Sequence, residues 1–200
     1  MKILFKSLCV GIIISVLFTL MPFESECREI SEQVFRVHIL ANSDSQEDQQ
    51  LKLRVRDAVI EKSEELLSDV HSKDEAKLTV SNNIDVFEET ALSVIKAEGF
   101  DYNVECSIEN MLFDTRYYDD ITMPGGYYDA LRIRIGDAQG KNWWCVMYPS
   151  LCLSAATKKD ALDQRLTNKQ YGIVSEKGKY RFRFKAVEVF NDFIDFFSFW

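Results

Sequence analysis

The sequence predicts a two-layer α+β fold, with helices packed on one face of a mainly antiparallel sheet. Three observations carry this expectation. A strand-like segment near residue 35 leads straight into two long stretches of helical periodicity. Period-2 alternation then dominates between residues 102 and 148. Apolar residues make up 46% of the 200-residue chain, enough for a real core.

The first 23 residues are set apart. Lys2 and Lys6 flank the start of an uncharged run from Leu8 to Met21, and Glu24 and Glu26 follow. A basic flank before a short apolar core is the pattern of a secretory signal. No small-x-small cleavage site stands out around residues 19–27, so residues 1–23 read as a signal peptide or an N-terminal membrane anchor. The run is shorter than the roughly 20 residues that span a bilayer comfortably. Residues 30–200 are expected to form a single globular domain. A net charge of −8 argues against a nucleic-acid partner and against an anionic membrane surface.

Val34 to Ala41 is the first strand, with Phe35, Val37, Ile39 and Ala41 on one side. Asn42-Ser-Asp-Ser follows, and Asp44 with Glu47 fits a capping box, so a helix starts near Ser45 and runs to about Leu67. It carries two apolar stripes, Leu51/Val55/Ala58/Val59/Leu66 and Leu53/Ile60/Leu67, as expected of a helix covered on two sides. Ser72 and Glu75 repeat the capping box and open a second helix that Gly99 ends. Tyr102 to Glu109 alternates as a strand with Cys106 among its apolar residues, and residues 111–118 extend it or form another.

Leu131, Ile133 and Ile135 alternate with Arg132 and Arg134. A Gly136–Gly140 loop and an aromatic strand from Asn142 to Tyr148 come next, and Pro149 ends that strand. Together they read as a β-hairpin. The preferred register sets Ile133 opposite Trp144 and Leu131 opposite Val146, which leaves Trp143 on the off-core face with both arginines. Thr157–Thr167 reads as a short helix, Asn168–Gly178 as a loop and residues 181–186 as a late strand. A helix follows from Val187, with an apolar tail at Phe196–Trp200.

Chemistry is sparse. His71 lies in a linker between helices. His38 alternates with Arg36, near Asp44 and Asp57, either of which would suit an acid–base pair. A polar cluster tying strand to helix is the plainer reading. No phosphate loop, dinucleotide fingerprint, GxSxG or HExxH occurs. Neither a metal nor a cofactor is expected. Tandem Trp143 and Trp144 suit sugar stacking, a packed core or a partner. Export permits disulfides. With Cys9 inside the signal, Cys27, Cys106, Cys145 and Cys152 allow three pairings. A local bridge around Pro149 and four buried thiols both stay open, while the lack of a CxxC disfavours zinc.

RVHILANSDSQEDQQLKLRVRDAV (36–59) and PGGYYDALRIRIGDAQGKNWWCVMYPSLC (124–152) resemble the stage II sporulation protein R family of endospore-forming Firmicutes. The resemblance covers roughly residues 36–152 and the spacing of the last elements. It is carried by Arg36, His38, Asn42, Ser43, Asp44, Asp48, Lys52, Arg56, Asp57, Gly126, Tyr128, Gly136, Asn142 and Pro149. Ser150 departs from it, standing where a second proline is expected. Cys27 and Cys106 lie outside the pattern, so the resemblance favours Cys145 and Cys152 as the disulfide.

What it implies is a signal, not an enzyme. Such a protein is secreted into the space between forespore and mother-cell membranes, or held there by its N-terminal anchor. It activates a membrane-embedded aspartic protease, which processes the precursor of a mother-cell sigma factor. The expected anchors for that partner are Arg132, Arg134, Trp143 and Trp144, while membrane contact is confined to the N-terminal segment and the aromatic tail. The rival readings are a secreted cell-wall-acting hydrolase built on His38 and a sugar-binding module.

Overall fold

In chain order the elements are α1 (Lys2–Glu32), β1 (Phe35–Leu40), α2 (Gln46–Leu67), α3 (Lys73–Asn82), α4 (Ile84–Ala97), β2 (Val104–Phe113), β3 (Arg116–Tyr118), β4 (Ile121–Met123), β5 (Gly126–Ile135), β6 (Asn142–Tyr148) and α5 (Asn168–Ser175), and residues 182–189 are also helical. The computed structural model describes residues 2–118, 121–150, 162, 165–175, 179–180 and 182–189. The protein is α+β, as expected. The chain divides into two units, residues 32–111 with 128–165, and residues 1–31 with 112–127 and 166–200.

The first unit is built on a four-stranded sheet in the order β2-β5-β1-β6. β1 therefore lies between the two strands expected to pair as a hairpin. It runs parallel to β5, with Val37 opposite Leu131 and Ile39 opposite Ile133. It runs antiparallel to β6, with Val37 opposite Cys145 and Ile39 opposite Trp143. β2 completes the sheet beside β5, and its Glu105 meets Arg134 while Asn110 meets Asp129, an antiparallel order.

The hairpin reading fails for a reason visible in β1. All six of its residues are buried, as in a strand covered on both faces and flanked on both sides. Two strands either side of a third lie about 10 Å apart, a gap that a short loop crosses without strain. Alternation in β5 and β6 marked them as strands but said nothing about what stood between them.

Helices cover one face of this sheet. Leu51, Val55 and Val59 of α2 are buried together with Ala76 and Val80 of α3 and Phe87, Ala91 and Ile95 of α4. Arg56 of α2 lies over the Trp143 ring, and Lys73 and Lys77 of α3 pair with Asp129, which fixes that face as the one bearing Val37, Ile39, Ile133 and Trp143. Of the second stripe of α2, Leu53 is 38% exposed whereas Ile60 and Leu67 are half-buried, so the stripe is only partly covered among the described residues.

Helix ends follow local chemistry. Ser45, one residue after the expected cap, accepts from the Asp48 amide at 3.1 Å. Ser72 accepts from Glu75 N while the Glu75 carboxylate reaches back to His71 N. The stretch expected as one helix from Ser72 is two, because Asn83 interrupts it and caps α3 through Val80 O. Gly99, at φ 81°, ends α4 as expected.

In the second unit, β3 and β4 form a two-stranded ribbon. Late in α1, Phe23, Cys27 and Ile30 are buried. The Phe23 ring stacks on Tyr180 at 5.5 Å and lies 5.3 Å from Phe184. Tyr180, Phe184 and Val187 recur at helical spacing, and that docking makes residues 182–189 a helix where alternation suggested a strand. α5 likewise replaces an expected loop. Thr167 Oγ1 accepts from Gln170 N and Gln170 Oε1 accepts from Thr167 N, a capping box in the sequence TNKQ. Among the described residues no helix is long and apolar enough to cross a membrane. Of the helix expected over 157–167 only residues 162 and 165–167 are described, and the aromatic tail lies entirely outside the described residues.

Candidate docking surface

The sheet face away from α2–α4 gathers the polar and aromatic residues singled out in the sequence. Register places His38 opposite Arg132 on one side and Trp144 on the other. The His38 and Trp144 rings stack with centroids 3.7 Å apart and planes 2° from parallel. His38 Nε2 lies 2.9 Å from Asn142 Oδ1, so with that oxygen accepting, Nε2 carries the proton. Arg36, on the same face, is fully buried, with its guanidinium 4.9 Å from the Tyr128 ring centre.

Further out, Arg132 donates to Glu109 at 2.8 Å, and Arg134 spans Glu105 at 2.5 Å and Glu109 at 3.3 Å. Ser107 also donates to Glu109. Burial disfavours ionisation of Glu109, but Ser107 and the two arginines outweigh it and hold its carboxyl below the usual range. Both arginine side chains are 27% exposed, so these pairs sit where ion pairs contribute only about 0–1 kcal/mol. Their effect is to hold two guanidinium groups in fixed positions. Glu105 and Glu109 were not singled out in the sequence, although their alternation on β2 complements that of the arginines on β5.

Trp143 is not on this face. It lies on the helix side, with the Arg56 guanidinium 5.4 Å from its ring centre. The expected grouping of Trp143 with Arg132 and Arg134 is overturned because β1 separates β5 from β6, and Trp144 takes that place. Adjacent residues on one strand point to opposite faces, so the pair forms no shared stacking platform.

The Asn-Ser-Asp turn has a structural task. The connection from β5 to β6 must pass over the end of β1, and this turn holds it there. Asn42 Oδ1 accepts from Asp137 N at 2.9 Å and Asp44 Oδ1 from Lys141 N at 2.7 Å. Backbone bonds from Gln139 N to Asn42 O and Gly140 N to Ala41 O complete the bracket. Lys52, itself buried, donates to Lys141 O. Behind the turn, buried Asp48 accepts from Asn42 and Ser43. Burial opposes ionisation of Asp48, but Ser43, Asn42 and Tyr102 as donors hold its carboxyl below the ordinary range. Gly136, at φ 55°, admits no side chain, since a Cβ there would collide with Asn42 Oδ1.

The two carboxylates considered as partners for His38 are thus engaged elsewhere, Asp44 with Lys141 and Asp57 with Arg56. His71 is exposed in its linker, as read. Gly126 opens β5, and Pro149 directly follows β6. Cys27 and Cys106 are free and buried, and burial pushes both thiols up to about 12. Cys145 is buried too, while Cys152 lies outside the described residues. Among the described residues no cluster of potential ligands suits a metal ion.

Comparison with known proteins gives a consistent result. The family model described as stage II sporulation protein R matches residues 31–158. A stage II sporulation protein R from Bacillus subtilis (strain 168) is 33% identical over 136 residues, 68% of this chain. The chain spans 61% of that relative's length. No solved structure matches.

Proposed function

The chain belongs to the stage II sporulation protein R family, and from that premise we propose that it is an exported signalling protein of sporulation. On this reading it crosses the forespore membrane by its basic-then-apolar N-terminus. In the space between forespore and mother-cell membranes it activates a membrane-embedded aspartic protease, which processes the precursor of a mother-cell sigma factor. It acts by differential binding, favouring the protease's active state, and carries out no chemistry of its own.

The observation that carries this reading is how the family's polar residues are used. Asn42, Ser43, Asp44 and Asp48 hold a loop in place, and His38 stacks on Trp144 and bonds to Asn142. What remains half-exposed on that face is an arginine pair on β5 and, across His38 on β6, Trp144, the residue types that dominate interface energies. The opposed faces of Trp143 and Trp144 give the sugar-binding alternative no support.

Reconstitution tests the proposal. The full chain, the protease and the sigma precursor are co-expressed in a non-sporulating host, and precursor cleavage is followed. Cleavage should require all three. A variant lacking residues 1–23 should be inactive in the cytoplasm and active behind a foreign signal. Full activity from the cytoplasmic variant overturns the export reading. The same exported protein is expected to carry a Cys145–Cys152 bridge, consistent with Cys27 and Cys106 being free. Mass spectrometry of non-reduced peptides decides it, and two free thiols there would refute it.

A further inference from the structure

β2 is an edge strand, flanked only by β5 among the described residues. Its backbone alternates between the two sides. Asn103, just before it, accepts from Gly136 N across the sheet, whereas Cys106 N points outward and donates to Glu88 Oε1 at 2.8 Å. Every second amide shares that outward direction, so beyond the one that Glu88 caps, Ile108 and Asn110 present N–H and C=O groups that meet no partner strand among the described residues. Folded proteins ordinarily blunt a long edge, because an open one recruits another strand. Here a single amide is blunted and the next two are not.

Charge selects the occupant. Glu105, 62% exposed, and Glu109 flank the edge on one face. On the other, Glu88 of α4 approaches it, with Asp85 one turn earlier on the same stripe. A second copy pairing antiparallel about Ser107 would set Glu105 of each copy against Glu109 of the other, and like charges directly opposite are destabilising. A strand bearing Lys or Arg at alternate positions meets complementary carboxylates instead.

We propose that the β2 edge, from Cys106 to Asn110, is a β-addition site for an extended basic segment of another protein. Main-chain hydrogen bonds to Ile108 and Asn110 supply affinity, and carboxylates on either side select positive side chains. This does not depend on which protein the chain activates.

Amide hydrogen exchange on the full chain tests it, with two synthetic ten-residue peptides as probes, one alternating Lys and Thr, the other Glu and Thr. The Lys–Thr peptide at saturation should slow exchange at Ile108 and Asn110 at least tenfold. Ser107 and Glu109, whose amides face β5, should change little. That every-second-residue pattern is one that nonspecific charge attraction does not produce. Added salt should weaken the effect, and the Glu–Thr peptide should lack it. Methylating alternate backbone nitrogens of the Lys–Thr peptide leaves the protein untouched and should abolish protection. Ile108→Pro removes one outward N–H without breaking a bond to β5 and should weaken binding by a comparable factor. No slowing at Ile108 and Asn110, equal protection by both peptides, or self-association of the chain through β2 overturns the proposal.

Discussion

His38 and Trp144 stack face to face across the β1–β6 pair, with ring centroids 3.7 Å apart. Contacts of this kind contribute about 0.5–1.5 kcal/mol beyond the area they bury. A double-mutant cycle on His38→Ala and Trp144→Ala should therefore give a coupling of that size in urea unfolding. His38→Gln, which keeps a polar side chain on Asn142, should leave a folded protein and, under the proposed function, most of the precursor cleavage in the reconstituted system. A folded His38→Gln protein without activity would shift the argument to proton transfer.

The two tryptophans should behave differently, in the opposite sense to the one their sequence suggests. Trp143 is set between the sheet and Arg56, so Trp143→Ala should lower stability. Trp144 shares a face with Arg132 and Arg134, so Trp144→Ala should lose more activation than its stability loss explains. Charge reversal at Arg132 should reduce activation while barely moving the unfolding midpoint, since exposed ion pairs are weak. Equal stability losses and equal activities for both tryptophan variants would refute the assignment of faces.

At the β1–α2 turn, Asn42 and Gly136 are coupled by space as well as by hydrogen bonds. Asn42→Ala removes the partner of Asp137 N and a donor to Asp48, and should cost about 2–3 kcal/mol at about 1 kcal/mol per bond plus desolvation. Gly136→Ala meets both a left-handed backbone and the Asn42 side chain. Combined with Asn42→Ala it should cost less than it does alone, because the colliding atoms are gone. Strict additivity in chemical denaturation would show the loop to be held by other contacts.

Much of this architecture was legible from short-range signals. The cap at Ser72, the stop at Gly99 and the end of β6 before Pro149 were each written within four residues. Strand order was not, because inserting β1 between β5 and β6 is a long-range event that alternation cannot encode. That omission exchanged Trp143 for Trp144 on the face that carries both arginines and His38. The clue lay in β1 itself, where FRVHIL is hydrophobic enough to be buried on both faces and too short to be a helix. Residues 182–189 failed differently, since six alternating residues fit either period until Tyr180 and Val187 are counted in. α5 is legible in TNKQ, where Thr167 and Gln170 stand at capping-box spacing.

Acid stability follows from three carboxylates whose surroundings favour the charged form. Burial opposes ionisation of Asp48, Asp129 and Glu109, but donors outweigh it in each case. These are Ser43, Asn42 and Tyr102 for Asp48, Lys73, Asn110 and Lys77 for Asp129, and Ser107 with two arginines for Glu109. All three pKa values are therefore lower in the folded chain than in the unfolded one, where carboxylates titrate near about 4. The stability they confer is fully present above that pH and is lost as pH falls through the folded values. Asp48 is the cleanest probe, being buried and bonded to neutral donors. Asp48→Asn should destabilise the protein near neutrality, and its deficit relative to the parent should shrink steadily as pH falls below about 4, where the parent loses the same charge. A deficit that stays constant over that range would mean that Asp48 contributes through shape alone.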